Sequence, residues 1–231
     1  MKLILVETKL YYREPVVAFF SIIFPALLIV VLGKASPGFV VADYFPILLA
    51  LAIATVTVVS LLSLLASYRE RGVLRRLAAT PVSPTSLIVA QLVVNLGALL
   101  LGVLLAYVAS VVLFGLGAPG NVPGLLLAFL LGTLGMAMIA LFIASVVPTQ
   151  KASVGWGALA YYPMMFFAGV WTGPATPEVV RRIADFTPLG AASHAMQDAW
   201  AGAWPRPLHL IVMAAFAAAF GAAATRLFRW E

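Results

Sequence analysis

Apolar residues fill this chain in long unbroken runs, and the polar residues collect between them. The first run covers about 16–32 ("VVAFFSIIFPALLIVVL"). Five more cover about 45–66, 85–114, 122–147, 152–171 and 207–225. A bilayer crossing needs about 20 apolar residues as an α-helix, and each run meets that need. Helices satisfy their own backbone in lipid, whereas a barrel would be written as short alternating strands. The expected fold is all-α, with one transmembrane domain over 1–231 and six spans. The run at 85–114 is longer than a crossing requires, so it must tilt or emerge from the bilayer.

Ahead of the first run, Lys2, Glu7, Lys9, Arg13 and Glu14 alternate with Leu3, Leu5, Val6 and Leu10. That is the pattern of an amphipathic helix lying in the membrane interface. It does not resemble a cleaved leader, because no small-x-small site closely follows the run. The connection at 115–124 ("GLGAPGNVPG") is an uncharged turn, and 148–151 ("PTQK") is a tight one. The connection at 172–206 is long and has its own start signals. Thr176-Pro177-Glu178 and Thr187-Pro188 both read as a helix cap followed by proline at the first helical position. Two short helices are expected there, lying on or dipping into one leaflet, with Trp171, Trp200 and Trp204 at headgroup depth.

Composition sharpens this picture. The 231 residues are 64% hydrophobic and 10% charged, with a mean hydropathy of +1.09. A soluble core of this length could not hide so much apolar surface. With no cysteine, disulfides and thiolate metal sites are excluded. The net charge of +6 speaks to orientation rather than to nucleic acid. With the amino terminus in the cytoplasm, ten basic residues fall inside and four (Lys34, Arg181, Arg182, Arg206) outside. This obeys the positive-inside rule and places both termini in the cytoplasm.

Several chemistries are missing. A phosphate-binding loop requires a Gly-Lys pair followed by Ser or Thr. The one such pair, Gly33-Lys34, is followed by Ala35, and Leu28 stands where the first glycine belongs. His194 and His209 lie fifteen positions apart without a zinc-binding context, so no metal ligand is expected. The spans hold no ionisable residue except at their edges, unlike most ion-coupled carriers. Gln91 and Asn95, four apart, share a helical face and suit interhelical hydrogen bonding or a substrate path. Thr55, Thr57, Ser60 and Ser63 could also sit between helices, although such side chains often bond back to their own helix.

One polar segment stands apart: "SYRERGVLRRLAATPVSP", at 67–84. Glu70, Val73, Leu74 and Leu77 fall at helical spacing on one face, while Arg69, Gly72 and Arg76 fall on another. A short amphipathic helix is expected over about 68–80, stopped by Thr80-Pro81. Its arginines (Arg69, Arg71, Arg75, Arg76) would suffice as an anchor on anionic lipid. A rigid amphipathic helix that also carries Glu70 suits docking into a protein groove.

The segment resembles the first cytoplasmic loop of the type-2 permeases of ABC exporters. The family pattern places an acid, a base, a glycine, a leucine and Thr/Ser-Pro in order. Here Glu70, Arg71, Leu77 and Thr80-Pro81 fill it, with the glycine nearer, at Gly72. Arg13, Pro15, Pro25 and Gly33 are similar to the family's interfacial helix and first span. Gly169, Pro177, Pro188 and Asp198 are similar to its re-entrant region at 172–206. The resemblance implies a permease half that dimerises with itself or a relative. A separate cytoplasmic ABC ATPase would carry ATP and magnesium, and this chain would bind no cofactor. The segment from Arg69 to Pro81, with Arg69, Glu70, Arg71, Gly72, Leu74, Arg75, Arg76, Leu77 and Thr80, would be the coupling helix. Arg13, Glu14 and Pro15 would lie near the same ATPase. The implied activity is ATP-driven export of an amphiphilic or hydrophobic molecule, such as a drug, antibiotic or lipid-linked compound, across the cell membrane. Two other classes remain. One is a membrane scaffold without a transport path. The other is a membrane-embedded enzyme, for which Asp185, His194 and Asp198 are the available groups.

Overall fold

The computed structural model describes residues 2–36, 38–72 and 84–227. Among these, all regular structure is helical and no strand occurs. The elements are α1 (Lys2–Arg13), α2 (Pro15–Ala35), α3 (Val41–Glu70), α4 (Pro84–Phe114) and α5 (Val122–Val146). After them come α6 (Gln150–Phe167), a 3-10 turn (Gly173–Ala175), α7 (Glu178–Ala184), α8 (Pro188–Trp200) and α9 (Pro207–Leu227). Five helices, α2, α3, α4, α5 and α9, are long and apolar enough to cross a membrane. The sixth apolar run forms α6, which has 18 residues, begins with Gln150 and Lys151, and is not among the five.

α3 is the central mast. In its most apolar stretch 83% is buried within the protein, against 22% in α2, 28% in α4 and 17% in α9. The outer helices turn exposed Leu, Val and Phe outward, as a lipid-facing surface requires. Lipid offers no hydrophobic drive between helices, so close packing of small residues matters most. α8 shows this. Its Ala191, Ala192, Ala195 and Ala199 are buried, and Ala192 stands opposite Gly132 of α5. α8 is thus inserted among α3, α5 and α9 rather than laid on the surface.

α6 runs antiparallel to α3 along most of its length. Gln150 meets Glu70 and Ser63, Gly157 faces Leu62 and Val58, Tyr161 meets Thr55, and Gly169 beyond its end approaches Ile47. Eighteen helical residues extend about 27 Å.

Two of the long helices contain π turns, Phe19–Ile23 in α2 and Thr55–Leu61 in α3. Pro25 explains the first: it lacks an N–H for the carbonyl of Ser21, four residues back. α4 closes on that carbonyl at Gly102, where an added Cβ would collide with the oxygen. The second π turn opens with Thr55 and Thr57, whose hydroxyls donate to the carbonyls of Leu51 (2.9 Å) and Ile53 (2.7 Å). The two turns meet at Ser21 Oγ and Ser60 Oγ, 3.2 Å apart.

Three expectations are corrected. Arg69 and Glu70 close α3, so the helix expected over 68–80 does not open at 68, and the chain turns at Gly72 with φ +64°. Residues 73–83, with Leu74, Arg75, Arg76, Leu77, Thr80 and Pro81, lie outside the described residues. Trp200 packs inward against Phe45 (centroids 5.0 Å) and Tyr107 (6.5 Å), whereas Trp171 and Trp204 are exposed. Thr187 caps α8 as expected, accepting from Gly190 N at 3.2 Å. Thr176, by contrast, turns back to Gly173 O and Thr172, and Pro177 stands at the start of α7.

Candidate functional site

At one end of the bundle, adjacent residues of α3 grip two different helices. Arg69 Nη1 donates to the carbonyls of Ala144 (3.3 Å), Ser145 (2.8 Å) and Val147 (3.3 Å), the unpaired acceptors closing α5. Glu70 Oε2 accepts from Gln150 N (2.8 Å), one of the unpaired donors opening α6. The cation therefore meets a helix C-terminus and the anion a helix N-terminus, each matching the sign of its dipole. Together they clamp both sides of the Pro148-Thr149 turn. Glu70, expected to face a partner, makes this bond within the molecule while remaining exposed.

The same end holds a buried carboxylate that the sequence did not reveal. Glu7 of α1 is 5% exposed. Its Oε2 accepts from Tyr68 Oη (2.7 Å) and from Gln91 Nε2. Gln91 therefore ties α4 to α1, while Asn95 Nδ2 donates to the Gln91 carbonyl of its own helix at 2.8 Å. The four-residue spacing of Glu7 and Tyr11, both buried, was the available signal, but the charges around it disguised α1 as wholly interfacial. Nearby, Glu14 and Arg71 line a hollow of about 90 Å³ together with Ser63, Ser67 and Gln150. Arg13 and Pro15 are exposed beside it.

Higher in the bundle, a cavity of about 320 Å³ opens between α2, α3 and α6. Its walls are Phe20, Phe24, Val58, Leu62, Val154 and Tyr162, with polar contributions from Ser63, Ser153 and the Thr55–Tyr161 hydroxyl pair at 3.1 Å. No carboxylate, amine, guanidinium or imidazole lines it among the described residues. Both π turns border it, through Phe20 and through Thr55, Val58 and Val59. Thr55, expected between helices, lines this cavity, whereas Gln91 and Asn95, suggested for interhelical bonding or a path, do not.

The opposite end gathers charge differently. Asp185, at the end of α7, receives His194 Nδ1 of α8 (2.7 Å) and His209 Nε2 of α9 (2.9 Å) on the same oxygen, Oδ1. His209 is fully buried, and its Nδ1 lies 3.8 Å from Asp198 Oδ2. Arg206 Nε donates to that Asp198 oxygen at 3.1 Å. Burial opposes ionisation of Asp185, but the hydrogen bonds and charges of the two histidines outweigh it and hold its carboxyl below the usual value. Burial lowers the pKa of His194, more than the Asp185 hydrogen bond raises it. The hydrogen bond from Asp198 raises that of Arg206. The two histidines, unrelated by their spacing in sequence, are brought together by three helices.

The sequence model described as "ABC-2 type transporter" matches residues 2–199 of this chain. No curated protein and no solved structure matches it.

Proposed function

Because the chain belongs to the ABC-2 type transporter family, a family of membrane-spanning transport components, we propose that it is the six-span permease half of an exporter. Its motor is a separate cytoplasmic ABC ATPase bearing ATP and magnesium. α6 supplies the sixth crossing, supported by its antiparallel course along α3 and its length of about 27 Å. The Arg69 end faces the cytoplasm and the Asp185 end faces outward, in line with the excess of basic residues near the former. Both termini are cytoplasmic and the membrane is the cell membrane.

The observation that carries this reading is the Arg69–Glu70 clamp. It joins the charged segment that follows Gly72 to α6, the helix that walls the cavity. ATPase closure on Arg69–Pro81, assisted by α1 through Arg13 and Glu14, moves α6 and thereby changes the cavity. A second permease copy or a relative completes the path. Exposed Trp156, Leu159 and Tyr162 on α6 and Phe20 on α2 offer it an apolar face beside the cavity. The cavity's walls suit a hydrophobic or amphiphilic cargo, such as a drug, antibiotic or lipid-linked molecule.

The test is co-expression with a candidate ATPase in lipid vesicles, comparing the native chain with Glu70→Arg. Reversal puts a cation against the N-terminus of α6. The ATPase should still bind, while substrate-stimulated ATP hydrolysis and cargo movement fall more than tenfold. Full transport by Glu70→Arg would reject the clamp as the coupling route.

A further inference from the structure

The hydrogen-bond donors around Asp185 do not balance. A neutral imidazole has one N–H and one lone pair. If His209 carries its proton on Nε2, it donates to Asp185 Oδ1, and the lone pair on Nδ1 is buried without a partner, facing the Asp198 carboxylate at 3.8 Å. If the proton is on Nδ1, it points at Asp198, and the Nε2 lone pair faces Asp185 Oδ1 at 2.9 Å. Each arrangement sets a lone pair against a carboxylate in a fully buried position. Two things remove the conflict: a second proton on His209, which then donates towards both carboxylates, or a metal ion between Asp185 and the imidazoles.

We propose that Asp185 Oδ1, His194 Nδ1 and His209 Nε2 form a binding site for one divalent metal ion of the zinc class. The three ligand atoms lie within 4.8 Å of one another. Two imidazole nitrogens and one carboxylate oxygen form a common zinc donor set, with ligand atoms about 3.3 Å apart around a tetrahedral ion. To reach that spacing the hydrogen-bonded pairs at 2.7 and 2.9 Å open slightly as the Asp185 carboxyl withdraws, and the two imidazole nitrogens, within 4.8 Å of each other, draw together. Asp198 then serves as the outer carboxylate that receives His209 Nδ1–H and fixes its tautomer, with Arg206 holding Asp198 in turn.

A hollow of about 70 Å³ beside Asp185 and His194 gives an ion access. Three arginines line it: Arg182, paired with Glu178, and Arg206, paired with Asp198, both at 3.1 Å, and Arg181. The bound ion would pin α7 and α8 to α9. This inference rests on side-chain geometry alone and does not depend on the transport reading.

The test uses the full chain, tag-free and stripped with EDTA, in lipid nanodiscs, titrated with Zn²⁺ and separately with Co²⁺. Saturable binding of one Zn²⁺ per chain, a raised Tm and tetrahedral Co²⁺ absorption bands are expected. His194→Gln and Asp185→Asn should each weaken Zn²⁺ binding at least a hundredfold, and Asp198→Asn about tenfold. His194→Gln changes a residue near the hollow and should melt like the metal-free native chain, which separates loss of the ion from loss of the fold. Absence of saturable binding to the native chain would overturn the site. So would binding unchanged in His194→Gln and Asp185→Asn, or a Tm that responds to pH but not to Zn²⁺, which would mark a cluster held by protons.

Discussion

The two ends of this bundle face the same problem with opposite solutions. At the Arg69 end, charges answer backbone: a guanidinium meets the carbonyls closing α5 and a carboxylate meets the amide opening α6. At the Asp185 end, charges answer side chains, and a carboxylate on α7 collects imidazoles from α8 and α9. Backbone dipoles are fixed wherever a helix ends, so the first arrangement tolerates a change of partner chemistry. The second depends on two imidazoles converging on one carboxylate oxygen, so it is tied to the chemistry of those particular side chains.

The sharpest way to break the comparison is to ask which end is inside. The chain has no cysteine, so single cysteines report cleanly. With an impermeant thiol reagent applied to intact cells, Trp204→Cys should label fully and Lys151→Cys not at all. The reverse pattern would invert the proposed orientation.

Stability separates the ends next. His209→Ala removes a buried ring and leaves two carboxylates facing each other. The cost should be about 3 kcal/mol in chemical unfolding of the purified chain. Arg69→Ala leaves three carbonyls to water or to one another and should cost about 2 kcal/mol. Its local readout is faster labelling of a cysteine placed at Thr149. Thr187→Ala, which removes the cap of α8 beside the cluster, should cost about 1 kcal/mol. Glu70→Gln should change stability least, by about 0.5 kcal/mol, because an amide oxygen still accepts from Gln150 and only the dipole charge is lost. If Glu70→Gln proved costlier than His209→Ala, the contrast between the ends would collapse.

The long apolar runs made most of the helices legible. α2, α3, α4, α5 and α9 stand within a few residues of their expected bounds, because length and apolarity leave a chain in lipid few alternatives. Thr187-Pro188 also announced α8 correctly, since capping is a local matter. The sites were harder to read. Glu7 is buried by α3 and α4, which contribute Tyr68 and Gln91 from 61 and 84 residues away. His194 and His209 meet through Asp185, and no spacing rule links three helices. Nor did periodicity show that Glu70 would turn toward α6, because a helix pattern gives the face of a residue but not its neighbour. Pro25 and the Thr55–Thr57 pair were visible signals for the π turns, yet proline and threonine have several readings in a membrane helix.

Those π turns have a consequence for how the chain can vary. A π turn closes its hydrogen bond over one residue more than an α turn. Each of α2 and α3 therefore carries surplus length at the height of the cavity. Losing one residue within Thr55–Leu61 would let the helix relax to ordinary winding, leaving Val41–Ala54 and Leu62–Glu70 in register with their neighbours. The same deletion anywhere else in α3 would rotate half of a mostly buried helix by about 100°. The wall of the cavity is thus the part of the mast where the gene can lose a codon without rebuilding either end.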